Sequence, residues 1–270
     1  MAITVKPPDM KEIIRKSGKS VEDVTAFLNL VKKSMRPYQK RIAVVEAGIN
    51  RFYAVERRGV GILETIYGKF WQFNFAIDDQ WKKYSVLVKA ELDMETLTPI
   101  FSRKDQLILR TDSGCETGQV FGDLTCDCSE QLRLAMQTLT EVGEGMIVNI
   151  PKQDGRGMGL TFKLATLWIQ EALNVHTVES ASLLVPGGVI DVRTYSGVIC
   201  ILKFFGVLPS CIINLATNNP EKVNVFGENG YMVAKDFVPM VIEPTEHTEV
   251  HLRAKEEHLN HVGLIKKGDR

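Results

Sequence analysis

Apolar residues recur along the chain with two different spacings, and each spacing predicts one kind of element. After Ser20, which can cap a helix, apolar side chains between Val21 and Val31 share one helical face and predict a helix to about Met35. Short runs rich in β-branched and aromatic residues predict strands instead. The predicted strands are 42–45, 70–75, 84–88, 107–109, 146–150, 211–215 and 231–234. Further helices are predicted over 132–139, 164–172 and 191–205, after Pro220, and over 247–261.

The order of these elements predicts an α/β fold. Strands that alternate with helices are typical of parallel pairing, because a parallel connection needs a crossover. At 270 residues the chain can bury a large core, so it needs neither a disulfide nor a structural metal merely to fold. A metal site in this sequence would therefore have another purpose.

The charge balance excludes two classes of partner. The 33 basic and 33 acidic side chains cancel, whereas a protein that coats nucleic acid or an anionic membrane carries a basic excess. The most apolar region, 197–215, is interrupted by Lys203 and Pro209, and the N-terminus lacks an apolar stretch of signal-peptide length. We therefore predict a soluble, cytoplasmic protein that binds neither a membrane nor a nucleic acid polymer.

Three of the five cysteines are close together in the sequence, and they are candidate metal ligands. Cys126 and Cys128 form a Cys-x-Cys pair, and a glycine-containing connection can fold Cys115 back onto it. Zn²⁺ prefers thiolate ligands in a tetrahedron, and three protein ligands with a fourth position left open is the catalytic arrangement. The alternative is that the three are small buried hydrophobic residues. Cys200 and Cys211 lie in apolar runs and are predicted to belong to the core.

Two further segments have the composition of phosphate-binding sites. In 153–159, glycines allow close backbone approach, and the predicted helix that follows offers unpaired N–H groups. Thr217 follows a predicted strand, and Lys222 can pair with phosphate. Taken alone, both segments are better explained as an ordinary loop and an Asn-Pro turn with a solvated lysine. Asp191 and Arg193 fit either a functional pair or a surface ion pair.

Four motifs occur in an order that resembles the GTP cyclohydrolase II family. They are Cys115-Glu116-Thr117-Gly118, Cys126-Asp127-Cys128 with Gln131, the segment 153–160, and Thr217-Asn218-Asn219-Pro220 with Lys222. The resemblance spans roughly residues 62–266. We therefore predict an N-terminal extension, residues 1–61, followed by a cyclohydrolase-like catalytic domain, residues 62–270.

The resemblance implies a fold, a cofactor and an activity. The fold is a mixed α/β sheet flanked by helices in a homodimer, with one catalytic zinc per subunit held by Cys115, Cys126 and Cys128. The family opens the imidazole ring of GTP and releases formate and pyrophosphate at the first committed step of riboflavin synthesis. We expect Mg²⁺ to accompany the nucleotide phosphates.

Residue roles are also implied by the resemblance. Asp191 is expected to accept a proton, and Arg193 to attack or hold the α-phosphate. The implied substrate-binding residues are Arg110, Gln131, Asp154, Gly155, Arg156, Thr177, Thr217 and Lys222. Since three thiolates carry excess negative charge, nearby cations should balance them, and Arg156 and Arg193 are our candidates.

The sequence departs from the family pattern around the substrate and keeps the metal ligands. Asp112 and Gly114 replace a histidine and a glutamate, Asp154 replaces a glutamate, and Leu167 stands where the family has a catalytic tyrosine. Leucine cannot transfer a proton, so deformylation should be impaired.

These departures leave two alternatives to GTP hydrolysis. They resemble a divergent branch tied to uracil catabolism, whose substrate would be a uracil nucleotide or its ring-opened product. We place GTP first because Arg193, Thr217 and Lys222 are retained. A catalytically lapsed regulatory dimer is the other alternative, and the retained cysteines argue against it.

Overall fold

A seven-stranded sheet organises the protein, whose structure is a computed structural model describing residues 4–264, except the side chains of residues 79–82. The strand order in the sheet is β1-β2-β3-β4-β8-β7-β9, and β5 and β6 form a separate small ribbon. The strands are β1 Tyr38–Glu46, β2 Ile49–Thr65, β3 Gly68–Ile77, β4 Asp79–Lys89, β5 Glu91–Asp93, β6 Thr98–Ile100, β7 Gln106–Ser113, β8 Gly145–Ile150 and β9 Ile212–Leu215.

The predicted mixed sheet is confirmed, but most of its pairing is not parallel. Strands β1 to β4 form an antiparallel meander, and β4 is also antiparallel to β8. Parallel pairing joins β7 to β8 on one side and to β9 on the other. The general prediction of parallel pairing was therefore wrong for the first half of the chain, because short connections there favour hairpins.

Helices flank this sheet along its length. They are α1 Met10–Ser17, α2 Val21–Ser34, α3 Glu116–Gln119, α4 Cys128–Val142, α5 Leu160–Leu173, α6 Thr177–Leu184, α7 Ser196–Phe205, α8 Asn224–Glu228 and α9 Glu249–His258. Short 3₁₀ turns lie at Asp154–Gly157 and Pro220–Val223. Among the described residues, no helix combines the length and apolar composition that a membrane crossing requires.

Two predicted elements differ from the observed ones. The helix predicted from Asp191 begins only at Ser196, because Arg193 folds its backbone N–H and side chain onto the Asp191 carboxylate and breaks the helical pattern. The strand predicted over 231–234 is reduced to an isolated bridge between Val233 and Ile213. Helix α6 was not predicted; His176 and Glu179 begin it with reciprocal capping bonds.

The N-terminal region is continuous with the sheet. Ser20 caps α2 as predicted, but on its apolar face Val24 is buried while Val21 and Phe27 remain mostly exposed. The boundary predicted at residue 61 falls inside β2, so this strand joins the predicted extension to the predicted catalytic domain.

Two clusters of apolar side chains hold the sheet between its helices. In β8, Met146, Val148 and Ile150 face the larger cluster, which includes almost all of α7, whereas Ile147 faces the smaller cluster under α4. Because both faces of β8 are buried against apolar clusters, its sequence is largely apolar and does not alternate between apolar and polar residues. Cys200 and Cys211 are buried in the larger cluster, as predicted.

Candidate active site

The carboxyl ends of the three parallel strands meet at one edge of the sheet, and a cavity lies there. Arg110 and Asp112 are near the end of β7, Asp154 follows β8, and Thr217 follows β9. Parallel strands present their carboxyl ends at the same edge, where ligands of α/β proteins bind. Of the predicted site residues, the cavity is lined by Arg110, Cys115, Cys126, Cys128, Gln131, Asp154, Gly155, Arg156, Thr177, Arg193, Thr217 and Lys222. Asp191 lies just behind them, paired with Arg193.

The three candidate cysteine ligands converge in space. Cys115 ends the loop after β7, and Cys126 and Cys128 lie at the start of α4. The Sγ atoms of Cys115 and Cys126 are 3.6 Å apart, and all three Sγ atoms lie within 4.8 Å of one another. A tetrahedral zinc with Zn–S bonds of about 2.3 Å separates two sulfurs by about 3.8 Å, so this donor set fits the ion. A Cβ on Gly118 would lie 2.8 Å from the Cys126 Sγ, so the glycine keeps the cluster open.

A lysine that the sequence analysis missed lies beside the sulfurs. Lys163 Nζ on α5 is 3.9 Å from the Cys115 Sγ and 3.9 Å from an Asp123 carboxylate oxygen. Burial opposes its charge, but the neighbouring cysteines and Asp123 raise the pKa of Lys163 overall. Arg156 and Arg193 stay our candidates for this balancing role, and Lys163 is a further cation, in contact with the Cys115 Sγ.

The three thiols contact one another, and this contact shifts their pKa values in opposite directions. Hydrogen bonds from the Cys126 and Cys128 thiols lower the pKa of Cys115, whereas bonding to Cys115 raises the pKa of Cys126 to about 11. The pKa of Cys128 is raised by the same neighbours. These directions favour the thiolate form most at Cys115, whose Sγ is in contact with Lys163.

A network of hydrogen-bonded side chains includes Asp127, the residue between Cys126 and Cys128. Arg110 Nη2 donates to Gln131 Oε1 over 2.8 Å, and Gln131 Nε2 donates to Asp127 Oδ2 over 2.6 Å. Lys255 Nζ on α9 donates to the other oxygen, Asp127 Oδ1, over 2.6 Å. The network thus joins two predicted substrate-binding residues, Arg110 and Gln131, to Asp127.

The glycine-rich loop positions Arg156 in the cavity wall. Gly155 and Arg156 both adopt left-handed backbone, with φ of 55° and 57°, which is uncommon for arginine. Arg156 Nη2 donates to Thr177 Oγ1 over 2.9 Å, and the Arg156 carbonyl accepts from the Val192 N–H. Burial and the charge of Arg193 lower the pKa of Arg156 to about 10. The charges of the two arginines are therefore close enough to repel each other.

Asp191 and Arg193 form a bidentate pair, of which Arg193 lines the cavity. Arg193 Nε lies 2.9 Å from one Asp191 carboxylate oxygen and 3.1 Å from the other, and Arg193 Nη2 also donates to this carboxylate. Burial opposes the charge of Asp191, but the bonds from Arg193 lower its pKa overall. Asp191 is therefore a carboxylate at neutral pH.

Lys222 completes a group of convergent cations. Its Nζ donates to the Thr111 carbonyl over 2.9 Å, and the residue is only 5% exposed. Burial, together with the charges of Arg110 and Arg193, lowers its pKa. An anion between these cations would relieve their mutual repulsion, which is the electrostatic condition for a phosphate site.

The residues that depart from the family pattern line this cavity or are adjacent in sequence to residues that line it. Oδ2 of the buried Asp112 carboxylate accepts bonds from Gln119 Nε2 and Asn149 Nδ2, whereas Oδ1 lies 3.7 Å from Arg110 Nη2. A Cβ on Gly114 would lie 2.8 Å from the Ile150 carbonyl oxygen, so this backbone admits only glycine there. Leu167 lines the cavity as an apolar surface.

Four titratable residues of the cavity were not predicted from the sequence: Lys163 on α5, and His251, Lys255 and His261 on or after α9. Nothing in their local spacing marks them, since α5 and α9 reach the cavity only through the tertiary fold. The charged pattern of α9 indicated a helix but not the face it presents.

Comparison with known proteins identifies the family. A family model for GTP cyclohydrolase II matches residues 57–238. The chain belongs to this family. It is 34% identical to GTP cyclohydrolase-2 of Streptomyces coelicolor over 207 residues, 77% of this chain and 86% of the relative. It is 30% identical to GTP cyclohydrolase-2 of Picrophilus torridus over 200 residues, 74% of this chain and 95% of the relative.

A longer relative is also similar. Riboflavin biosynthesis protein RibBA of Endomicrobium trichonymphae is 33% identical over 181 residues, 67% of this chain but 42% of the relative. The predicted membership of the GTP cyclohydrolase II family and the predicted enzyme class, a hydrolase of this family's type, are confirmed.

Proposed function

We propose that this member of the GTP cyclohydrolase II family is a zinc-dependent hydrolase that opens the imidazole ring of GTP and releases formate and pyrophosphate in riboflavin biosynthesis. The single observation that carries the proposal is the cavity itself, whose lining combines three convergent Sγ atoms with the cations Arg156, Arg193 and Lys222. A nucleotide matches this lining, because its ring could be hydrolysed at a metal held by the sulfurs and its phosphates could bind the cations.

Cys115, Cys126 and Cys128 would hold Zn²⁺, which when bound supplies Lewis acidity and makes water a better nucleophile at neutral pH. Lys163, in contact with the Cys115 Sγ, offsets the negative charge of the sulfurs. We further propose, from the family, that Mg²⁺ accompanies the phosphates and that the enzyme is a homodimer with one zinc per subunit.

The Asp191–Arg193 pair has two functions in this proposal. A substrate phosphate competes with Asp191 for the Arg193 guanidinium, since bidentate binding suits either anion. As Arg193 turns to the α-phosphate, Asp191 loses the bonds that lower its pKa and becomes a better proton acceptor. Lys222, which like Thr217 lines the cavity, adds a second cation for the phosphates.

Leu167 favours a second candidate, a uracil nucleotide or its ring-opened product. This position lacks a group that can transfer a proton, and the lack does not matter when no formyl group is formed. The cation group would bind the phosphate of either nucleotide.

The deciding experiment is to incubate zinc-loaded protein with GTP, UTP, UMP and ribosylurea phosphate and to identify the products by mass spectrometry. Ring opening of GTP with pyrophosphate release supports the first candidate, whereas turnover of the pyrimidine compounds alone supports the second. No turnover of any compound by zinc-loaded protein contradicts both and favours a lapsed, regulatory dimer.

A further inference from the structure

The C-terminal helix α9 forms a wall of the cavity although it lies outside the part of the chain that matches the family model. The match ends at residue 238, and α9 spans Glu249–His258. His251 and Lys255 on this helix and His261 after it line the cavity. Side chains that the family model does not cover therefore contact the proposed catalytic centre.

Lys255 makes the most specific of these contacts. Its Nζ donates to Asp127 Oδ1 over 2.6 Å, and the Asp127 side chain is only 3% exposed. Asp127 occupies the single position between Cys126 and Cys128, so its orientation and those of the two sulfurs are set by one short stretch of backbone.

The Asp127 carboxylate is used in an unusual way for its position. It precedes α4, where an aspartate normally accepts a bond from the backbone of the first turn, but here its side chain makes no such cap. Both oxygens accept from side chains instead, one from Lys255 and the other from Gln131, which in turn accepts from Arg110. The Asp127 side chain therefore does not cap α4 and instead links Lys255 on α9 to Gln131 and, through it, to Arg110.

We propose that Lys255 is a positioning residue: through Asp127 it fixes the peptide that carries Cys126 and Cys128, and through Gln131 it fixes the guanidinium of Arg110. This inference rests on the proposed metal centre. Outer partners of a metal site orient its ligands, and their loss typically weakens metal affinity or activity by about 10- to 100-fold.

The test compares three variants of the full chain. Lys255→Met removes the donor, Lys255→Arg retains a charged donor, and Arg253→Met is the matched control, since Arg253 pairs with Glu249 on the exposed side of the same helix. We expect Lys255→Met to weaken Zn²⁺ binding by about 10- to 100-fold in competition with a chromophoric chelator. Lys255→Arg should recover most of this loss, and Arg253→Met should bind Zn²⁺ like the unmodified protein.

A double variant separates positioning from the cost of an unpaired charge. Lys255→Met with Asp127→Asn removes both charges, which protects folding if Lys255→Met alone is unstable. Zinc affinity that stays weak in the double variant, at a melting temperature close to that of the unmodified protein, supports positioning. Affinity that returns to normal shows that the single variant suffered only from a buried, unpaired Asp127, and overturns the inference.

The same measurements keep the two proposals apart. Unmodified protein that binds no Zn²⁺ overturns the metal centre and the inference together. Unmodified protein that binds about one Zn²⁺ per subunit, with Lys255→Met binding it equally well, overturns the role of Lys255 alone.

Discussion

The sheet contains two groups of strands that differ in pairing direction and in the residues found beyond their carboxyl ends. Strands β1 to β4 pair antiparallel and are joined by short connections, and none of the predicted site residues lies on them. Strands β7, β8 and β9 pair in parallel, and candidate ligands or substrate-binding residues lie just beyond each of them. The first group contributes buried aromatic side chains such as Phe73 and Phe75 to the core, whereas the loops after the second group carry the candidate ligands and substrate-binding residues.

Strand direction explains this division. A hairpin returns the chain at once, so the ends of successive antiparallel strands alternate between opposite edges of the sheet. Parallel strands bring every carboxyl end to one edge, and the loops after them can converge on a single ligand. Cys115, Asp154 and Thr217 belong to three distant parts of the chain and meet for this reason.

The largest effect that this comparison predicts is the loss of one sulfur. Cys126→Ser should abolish turnover and zinc binding yet remain folded, because the large apolar clusters do not depend on the metal. Metal analysis, activity and thermal unfolding measure the three quantities.

Cys200→Ala is the matched control, because Cys200 belongs to the apolar core and not to the candidate metal site. Cys200 is a fully buried member of the larger cluster, so this variant should lose about 1 kcal/mol of stability and keep its zinc and activity. Full zinc content in Cys126→Ser, or loss of zinc in Cys200→Ala, would contradict the division between the two regions.

The next effect concerns the Asp191–Arg193 pair. Asp191→Asn keeps the shape of the side chain and removes the proton acceptor, so kcat should fall by about 10²- to 10⁴-fold with zinc content unchanged. Arg193→Ala should instead weaken nucleotide binding and stop pyrophosphate release. Normal rates in both variants would show that the two residues form only a structural ion pair.

Much of the site was predictable from the sequence because its residues belong to contiguous motifs. The Cys-x-Cys pair, Cys115 and the glycine-rich loop each have a recognisable local spacing, and the structure brings them to one cavity. Lys163 and Lys255 were not predictable. Their contribution depends on how α5 and α9 pack, and the periodicity of a helix does not specify its partner.

The fold was predictable in its elements more than in their pairing. Runs such as 146–150 and 132–139 identified β8 and α4, since apolar periodicity is a local property. Pairing direction is not local, and the antiparallel β1–β4 meander was missed. The backbone from Asp191 to Ser196 was misassigned because a side chain, Arg193, bonds locally and replaces the helical pattern.

A smaller effect is predicted at Leu167, where the cavity wall is apolar. If GTP is the substrate, ring opening should outrun deformylation, so a formylated pyrimidine nucleotide accumulates and formate appears late. Leu167→Tyr should then shorten the delay, as measured by mass spectrometry and a formate assay. Formate released in step with ring opening by the unmodified protein would contradict the prediction, and the tyrosine variant should then add nothing.

The smallest effect is a pH dependence of the protein's stability that arises from His251, which lines the cavity. His251 Nδ1 accepts from the Thr177 backbone N–H over 3.2 Å, a bond that requires neutral imidazole. Burial, with the charges of Lys255, His176 and Lys163, lowers the pKa of His251 below its usual value near 6.5, and Asp123 opposes them only in part.

The unfolded chain therefore binds the His251 proton more readily than the folded one. The contribution of His251 to stability is complete above pH 6.5 and declines as the pH falls through the range between the unfolded and the lower folded pKa. His251→Asn offers a side-chain oxygen that can accept the same bond and does not titrate. Melting temperatures at pH 7.5 and pH 5.5 should fall less on acidification in this variant than in the unmodified protein, while an equal fall in both would assign the acid sensitivity to other groups.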